Sequence, residues 1–233
     1  MMRAAALAVV LASPAIAQEA ADTIVVPQDG AGQRDLLMLD DAAYGACLTA
    51  LDELGVVYSE AAPIVPEDDA DCGILRPLTI TEIAPGVAID PAATVRCPTA
   101  EALAVWTRDF VLPAAARLDD RGPLASILNG SGYICRRRNN AADGKLSEHA
   151  FGNAFDVMGF TFTDGANIAI EPREAQGTMA ESFQDAVRAS ACLDFSTVLG
   201  PGSNAMHDDH LHLDIVARSS GYRLCEQGGA TDQ

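Results

Sequence analysis

Over residues 40–54 the apolar positions Ala43, Ala46, Cys47, Ala50, Leu51 and Leu54 recur at intervals of three and four, which predicts an amphipathic helix. A second stripe, Ala102, Leu103, Trp106, Phe110 and Val111, follows Cys97-Pro98-Thr99, where Thr99 is expected to cap the free amides of the first turn. That stripe reads as core, and the single tryptophan belongs to it. A third helix is expected over residues 181–192 from Phe183, Ala186, Val187 and Ala189. Elsewhere the period drops to that of strands. Residues 78–81 and 87–89 read as strands separated by Pro85-Gly86, residues 127–134 as a strand broken by Gly130 and Gly132, and residues 210–216 alternate as a strand should. Residues 61–72, with Pro63, Pro66 and a cluster of acids, read as loop. Long apolar β runs are few. The fold class expected is therefore α+β, a small antiparallel β-sheet with flanking helices, in preference to a doubly wound parallel sheet.

Composition narrows the setting. A chain of 233 residues, 49% hydrophobic and 21% charged, suits one globular domain with a small appendage. Thirty-three acidic against fifteen basic side chains give a formal charge of -18, which repels nucleic acid and anionic membranes, so no nucleic acid partner is expected. Arg3, the apolar run at residues 4–12, Pro14 and Ala15-Ile16-Ala17 read as a cleavable signal peptide over residues 1–17. No other run approaches the ~20 apolar residues of a membrane span. Residues 18–42 read as a loosely ordered leader, residues 43–226 as the functional domain and residues 227–233 as a tail. Export to the periplasm or the extracellular space, with cleavage near Ala17, is the expected localisation.

Six cysteines, Cys47, Cys72, Cys97, Cys135, Cys192 and Cys225, all follow the signal segment, and an even count in an exported chain predicts three disulfides. No pair has the C-x-x-C spacing of a thiolate metal site. Fifteen connectivities are open in principle; nearest-neighbour pairing is the expectation, Cys47 with Cys72, Cys97 with Cys135 and Cys192 with Cys225.

The four histidines fall in two short stretches, His149 within Ser147-Glu148-His149-Ala150-Phe151-Gly152-Asn153-Ala154-Phe155-Asp156, and His207, His210 and His212 within His207-Asp208-Asp209-His210-Leu211-His212. Imidazole with carboxylate is the usual ligand set of a catalytic zinc, with a fourth position left open. On one straight helix His149 and Asp156 would stand ~10.5 Å apart along the axis, whereas ligands of one zinc lie only ~3 to 3.5 Å apart. The segment must bend back, and Gly152 permits the reversal, after which Ala154, Asp156 and Met158 share one face of a strand. His210 and His212 project ~6.6 Å apart from one strand face, so one can ligate while the other leans over the open position. Arg136-Arg137-Arg138 is the dense basic patch of the chain, and Arg136, anchored beside Cys135, is a candidate clamp for a substrate carboxylate.

These residues carry a resemblance. Ser147-x-His149-x-x-Gly152-x-Ala154-x-Asp156 resembles the motif of D-alanyl-D-alanine carboxypeptidases, and His210-x-His212 resembles the closing pair of the wider LAS group of zinc peptidases. The spacing His207-x-x-His210-x-His212 is similar to that of LAS-type murein endopeptidases. Residues 132–136, 146–159, 198–202 and 207–214 together resemble the bacterial extensin-like C-terminal domain family, a likeness covering roughly residues 43–226. The resemblance implies one Zn2+ per chain held by His149, Asp156 and His212, with His210 catalytic and His207 assisting. It implies Ser147 and Arg136 on the substrate side, the LAS sheet as fold, and cleavage of a peptide bond in peptidoglycan stem or cross-link peptides. The acids before the final motif are Asp208 and Asp209 where the carboxypeptidases have Glu, so the endopeptidase pattern fits better. Rival expectations are a non-catalytic peptidoglycan-binding module that keeps the site, a zinc amidase or protease of other specificity, and a metal scavenger.

Overall fold

The computed structural model describes residues 32–67, 69–173 and 176–225. The signal segment, residues 18–31 of the leader and the tail at 227–233 lie outside the described residues. The rest of the leader is ordered: helix α1 (Gln33–Leu36) leads to α2 (Asp41–Leu54), whose N-cap Asp40 accepts from the Ala43 amide at 2.8 Å. Buried Tyr44, Cys47 and Leu51 form the inner face of α2, as the period predicts.

Strands β1 (Val57–Glu60), β2 (Pro77–Ala84) and β3 (Val87–Arg96) form an antiparallel meander, with the β2–β3 turn at Pro85-Gly86. Helix α3 (Cys97–Trp106) continues through a π-turn at Thr107–Val111 into α4 (Leu112–Ala115) and returns the chain to β4 (Leu124–Ser131), which pairs with β3 in parallel. β5 (Ala154–Phe162) lies antiparallel to β4, and its other edge is shared between β6 (Asn167–Ala169) and β8 (Leu211–Asp214). Helix α5 (Met179–Asp194) precedes β7 (Thr197–Leu199), which pairs with β8 and, in parallel, with β9 (Leu224–Cys225). The class is α+β, as expected. The sheet, however, is neither small nor purely antiparallel: nine strands run in the order β1-β2-β3-β4-β5-β8-β7-β9 with β6 on β5. Helical crossovers allow the parallel pair β3–β4, which short strand signals in sequence do not reveal.

Trp106 is fully buried, its indole N–H donates to the Val187 carbonyl at 3.1 Å, and its ring meets Phe195 edge-on. It is the pin between α3 and α5, and truncating such a residue costs about 3–5 kcal/mol. Thr99 does not cap α3. The helix starts two residues earlier, and the buried Thr99 hydroxyl donates instead to the Gly152 carbonyl at 2.8 Å, tying α3 to the turn that carries His149.

The disulfides are Cys47–Cys97, Cys72–Cys135 and Cys192–Cys225. Only the last follows nearest-neighbour pairing. Closing a longer loop costs little more than closing a short one, since the entropy grows only as the logarithm of length. Packing decides instead: α2 lies on the start of α3, and the loop before β2 lies on the segment leaving β4. Among the described residues no helix is long and apolar enough to cross a membrane.

Candidate metal centre

Asp156 of β5 stands directly across from His212 of β8 in the antiparallel register, a position that brings facing Cβ atoms to about 4.5–5.5 Å. His149 arrives from a 3-10 turn, Glu148–Phe151, which ends at Gly152 in the left-handed conformation with φ 66°. A Cβ at Gly152 would lie 2.3 Å from Ile74 Cδ1, so conformation and packing both demand glycine. The expected reversal happens at this residue. It leaves His149 Nε2 at 3.1 Å from Asp156 Oδ1 and 3.1 Å from His212 Nδ1, with 3.0 Å between the last two. His149 is wholly buried, and Asp156 and His212 are nearly so.

The far side of each ring fixes its tautomer. His149 Nδ1 donates to the Gly132 carbonyl at 2.6 Å, and His212 Nε2 donates to Asp214 Oδ2 at 3.3 Å. Both partners are pure acceptors, so both neutral rings turn their lone pairs inward toward the Asp156 oxygen. Three acceptor atoms at hydrogen-bond distance with no donor among them repel one another until a cation or a proton sits between them. Their separations fit zinc, whose ligands at ~2.0–2.1 Å lie ~3–3.5 Å apart. In the metal-free chain a proton takes that place. Burial alone would lower the His212 pKa, but hydrogen bonds with Asp156 and Asp214 outweigh it and push it up to about 9. Burial likewise opposes the Asp156 charge, yet its close contacts with the His149 and His212 rings hold its carboxyl far below the usual range. The second convergence of ligand types, Asp69 with Cys72 and Cys135, is consumed by the disulfide.

His207 and His210 stand at the rim. His210 Nε2 is 3.8 Å from Asp156 Oδ1, and its Nδ1 donates to Asp209 Oδ1 at 2.8 Å. His207 Nδ1 meets Asn204 Oδ1 at 2.7 Å, and the Met206 amide donates to the same oxygen, which identifies it as the acceptor. Both rim rings therefore present a bare Nε2. Burial, with the nearby His212 and His210, pushes the His207 imidazole down to about 4, so it is neutral near pH 7. A neutral ring in this tautomer accepts a hydrogen bond and cannot donate one to an oxyanion.

A cleft of about 220 Å³ opens beside His212 and His207, and Arg136, Arg138, Ser147 and Arg218 are among its walls. Ser147 is buried and its amide donates to the Arg136 carbonyl at 2.9 Å. The half-buried Arg136 guanidinium makes no hydrogen bond or ion pair among the described residues, whereas Arg137 turns away to the Gly144 carbonyl and Asp69. Arg138 lies 3.4 Å from Glu148.

Sequence reasoning missed Asp214, Asn204, Arg218, the Gly132 carbonyl and the bond from His210 to Asp209. Asp214 had a signal, since a period of two places it on the face of His210 and His212. The Gly132 carbonyl had none, because a backbone acceptor leaves no residue type to read; the glycine itself is required by Thr94 O, 2.6 Å from where a Cβ would stand.

Fold and site define a class, a cystine-linked α+β chain whose sheet carries a buried His-Asp-His cluster at the mouth of a cleft. The chain belongs to the family described as extensin-like protein C-terminus, whose model matches residues 45–226. No curated protein and no solved structure matches it.

Proposed function

We propose that this chain is an exported zinc metallopeptidase that cleaves a peptide bond in peptidoglycan, of D,D-endopeptidase or carboxypeptidase type. The observation that carries the reading is the triangle of inward lone pairs at 3.0–3.1 Å, backed on its outer side by Gly132 and Asp214. His149 Nε2, Asp156 Oδ1 and His212 Nδ1 would hold the ion, and three protein ligands are the number found in catalytic rather than closed structural sites. The chemistry zinc supplies when bound is Lewis acidity toward a carbonyl and toward water.

The chain's own residues supply the rest. His210, with Nδ1–H on Asp209 and Nε2 bare toward Asp156, is built to take a proton from an attacking water and return it to the leaving amine. His207 Nε2 accepts a hydrogen bond from water or a substrate amide and so orients it. Arg136 clamps a carboxylate of the stem peptide in the cleft. The likeness of the motifs at residues 147–156 and 207–212 to LAS peptidases supports the peptide bond as target, and three disulfides suit an oxidising compartment.

The test is direct. Zinc-loaded protein incubated with purified sacculi should release muropeptides with new amine and carboxyl ends, identified by mass. Folded, zinc-loaded protein that binds sacculi and releases nothing would leave a binding module in its place.

A further inference from the structure

Two cations that line the cleft lack a carboxylate partner among the described residues. Seven of the thirteen arginines among the described residues have a carboxylate oxygen within 4.0 Å, Arg138 of the cleft wall among them. Arg136 and Arg218, both lining the cleft, have none. Arg218 is held by neutral acceptors, Nη1 on the Ser196 carbonyl at 2.6 Å and Nη2 on Thr197 Oγ1 at 2.7 Å, which fixes its plane over β7 and leaves donors to spare. The acids in the same wall are already engaged: Asp214 accepts from His212, and Glu148 accepts from Arg138 and Asn153.

The two guanidinia also reach the cleft from different parts of the chain. Arg136 leaves the β4 side, its carbonyl bonded to Ser147 just before the His149 turn, while Arg218 rests on β7 beyond β8 in the sheet order. A half-buried guanidinium without a counter-ion carries a desolvation cost that a bound carboxylate removes, and its planar fork takes a carboxylate in two-point fashion.

We propose that the cleft binds a peptide bearing two free carboxylates, one on Arg136 and the other on Arg218, so that its ligand is a diacid and not merely a chain with one acidic terminus. This rests on the peptidase reading only for the ligand being a peptide. The demand for two anions comes from the cleft itself.

Isothermal titration of the zinc-loaded full chain with N-acetyl-Glu-Ala, its two monoamides and its diamide tests this without reading cleavage. Each monoamide should bind at least tenfold more weakly than the diacid. Arg218→Gln should bind the diacid no better than the unmodified chain binds a monoamide, and Arg136→Gln, at a side chain with no hydrogen bond or ion pair among the described residues, should behave alike. Arg218→Lys should recover part of the loss. Equal affinity for diacid and monoamides overturns the proposal, as does an Arg218→Gln chain that keeps its fold and its diacid affinity. Should Arg218→Gln fail to fold, the monoamide series on the unmodified chain decides alone. A diacid preference without release from sacculi would remove the peptidase reading and leave this one; release without a diacid preference would do the reverse.

Discussion

The four histidines divide into two pairs that share a ring and differ in everything around it. His149 and His212 are buried, one at the end of a turn locked by Gly152 and the other on a central strand, and their outer nitrogens are committed to a carbonyl and a carboxylate. His207 and His210 sit on the loop between β7 and β8, partly exposed, with outer nitrogens on Asn204 and Asp209. Strand and locked turn hold the three inner atoms 3.0–3.1 Å apart, which on the proposed function suits a cation. A loop end leaves both rim nitrogens bare, His207 lining the cleft and His210 turned toward Asp156, which on the proposed function suits substrate positioning and proton transfer. Under the proposed function, what backs a histidine, more than the histidine itself, separates holding from reacting.

The two pairs should part most sharply when the inner atoms themselves are removed. Asp156→Ala or His212→Ala should lose zinc and all release from sacculi, whereas His210→Ala should keep close to one zinc per chain and lose ~10²–10⁴ in turnover. Metal content by mass spectrometry beside a turnover assay reads both; zinc lost from His210→Ala and kept by His212→Ala would exchange the two pairs. The backing residues give a smaller contrast. Asp214→Ala strands the outer N–H of His212 and should weaken zinc affinity ~10–100-fold, the usual penalty for removing a ligand's outer partner. Asp209→Ala should leave zinc affinity unchanged and lower turnover about tenfold. Chelator competition separates them, and a loss of zinc from Asp209→Ala would mean that the rim supports the ion too.

Much of the centre was legible because its residue types are scarce and its spacing is geometric. Four histidines in two clusters pointed to the convergence of His149 and His212 with Asp156, and the mismatch between seven helical residues and one small ion required the reversal at Gly152. Helices α2, α3 and α5 were legible from their stripes, to within a few residues at their ends. What stayed hidden depends on which surfaces meet. The Cys47–Cys97 link follows from α2 packing on α3, the extra strands β6 and β9 are three and two residues long, and Thr99 answers to Gly152 across 53 positions of chain. Arg218 carries no local pattern at all; only the pairing of β7 with β8 brings it to the cleft.

The finest test is the pH dependence of stability, where His212 and His207 should differ in sign. In the metal-free chain His212 is raised from 6.5 to about 9, because its bonds to Asp156 and Asp214 outweigh the burial that opposes its charge. Its contribution is thus complete below pH 6.5 and lost as pH climbs through 9. Zinc needs a neutral ring, so the loaded chain has no such loss, and its loading weakens on acidification instead. His207 is lowered by burial and its neighbours to about 4, so the fold disfavours its charge and loses stability as pH falls from 6.5 toward 4. Thermal melts with and without chelator should therefore diverge by a few degrees between pH 6.5 and 9, and His207→Gln should flatten only the acid limb. Parallel curves on the alkaline side would mean that no proton replaces the cation among the three inner ligands, and that the lone pairs of His149 and His212 do not converge as the hydrogen bonds to Gly132 and Asp214 require.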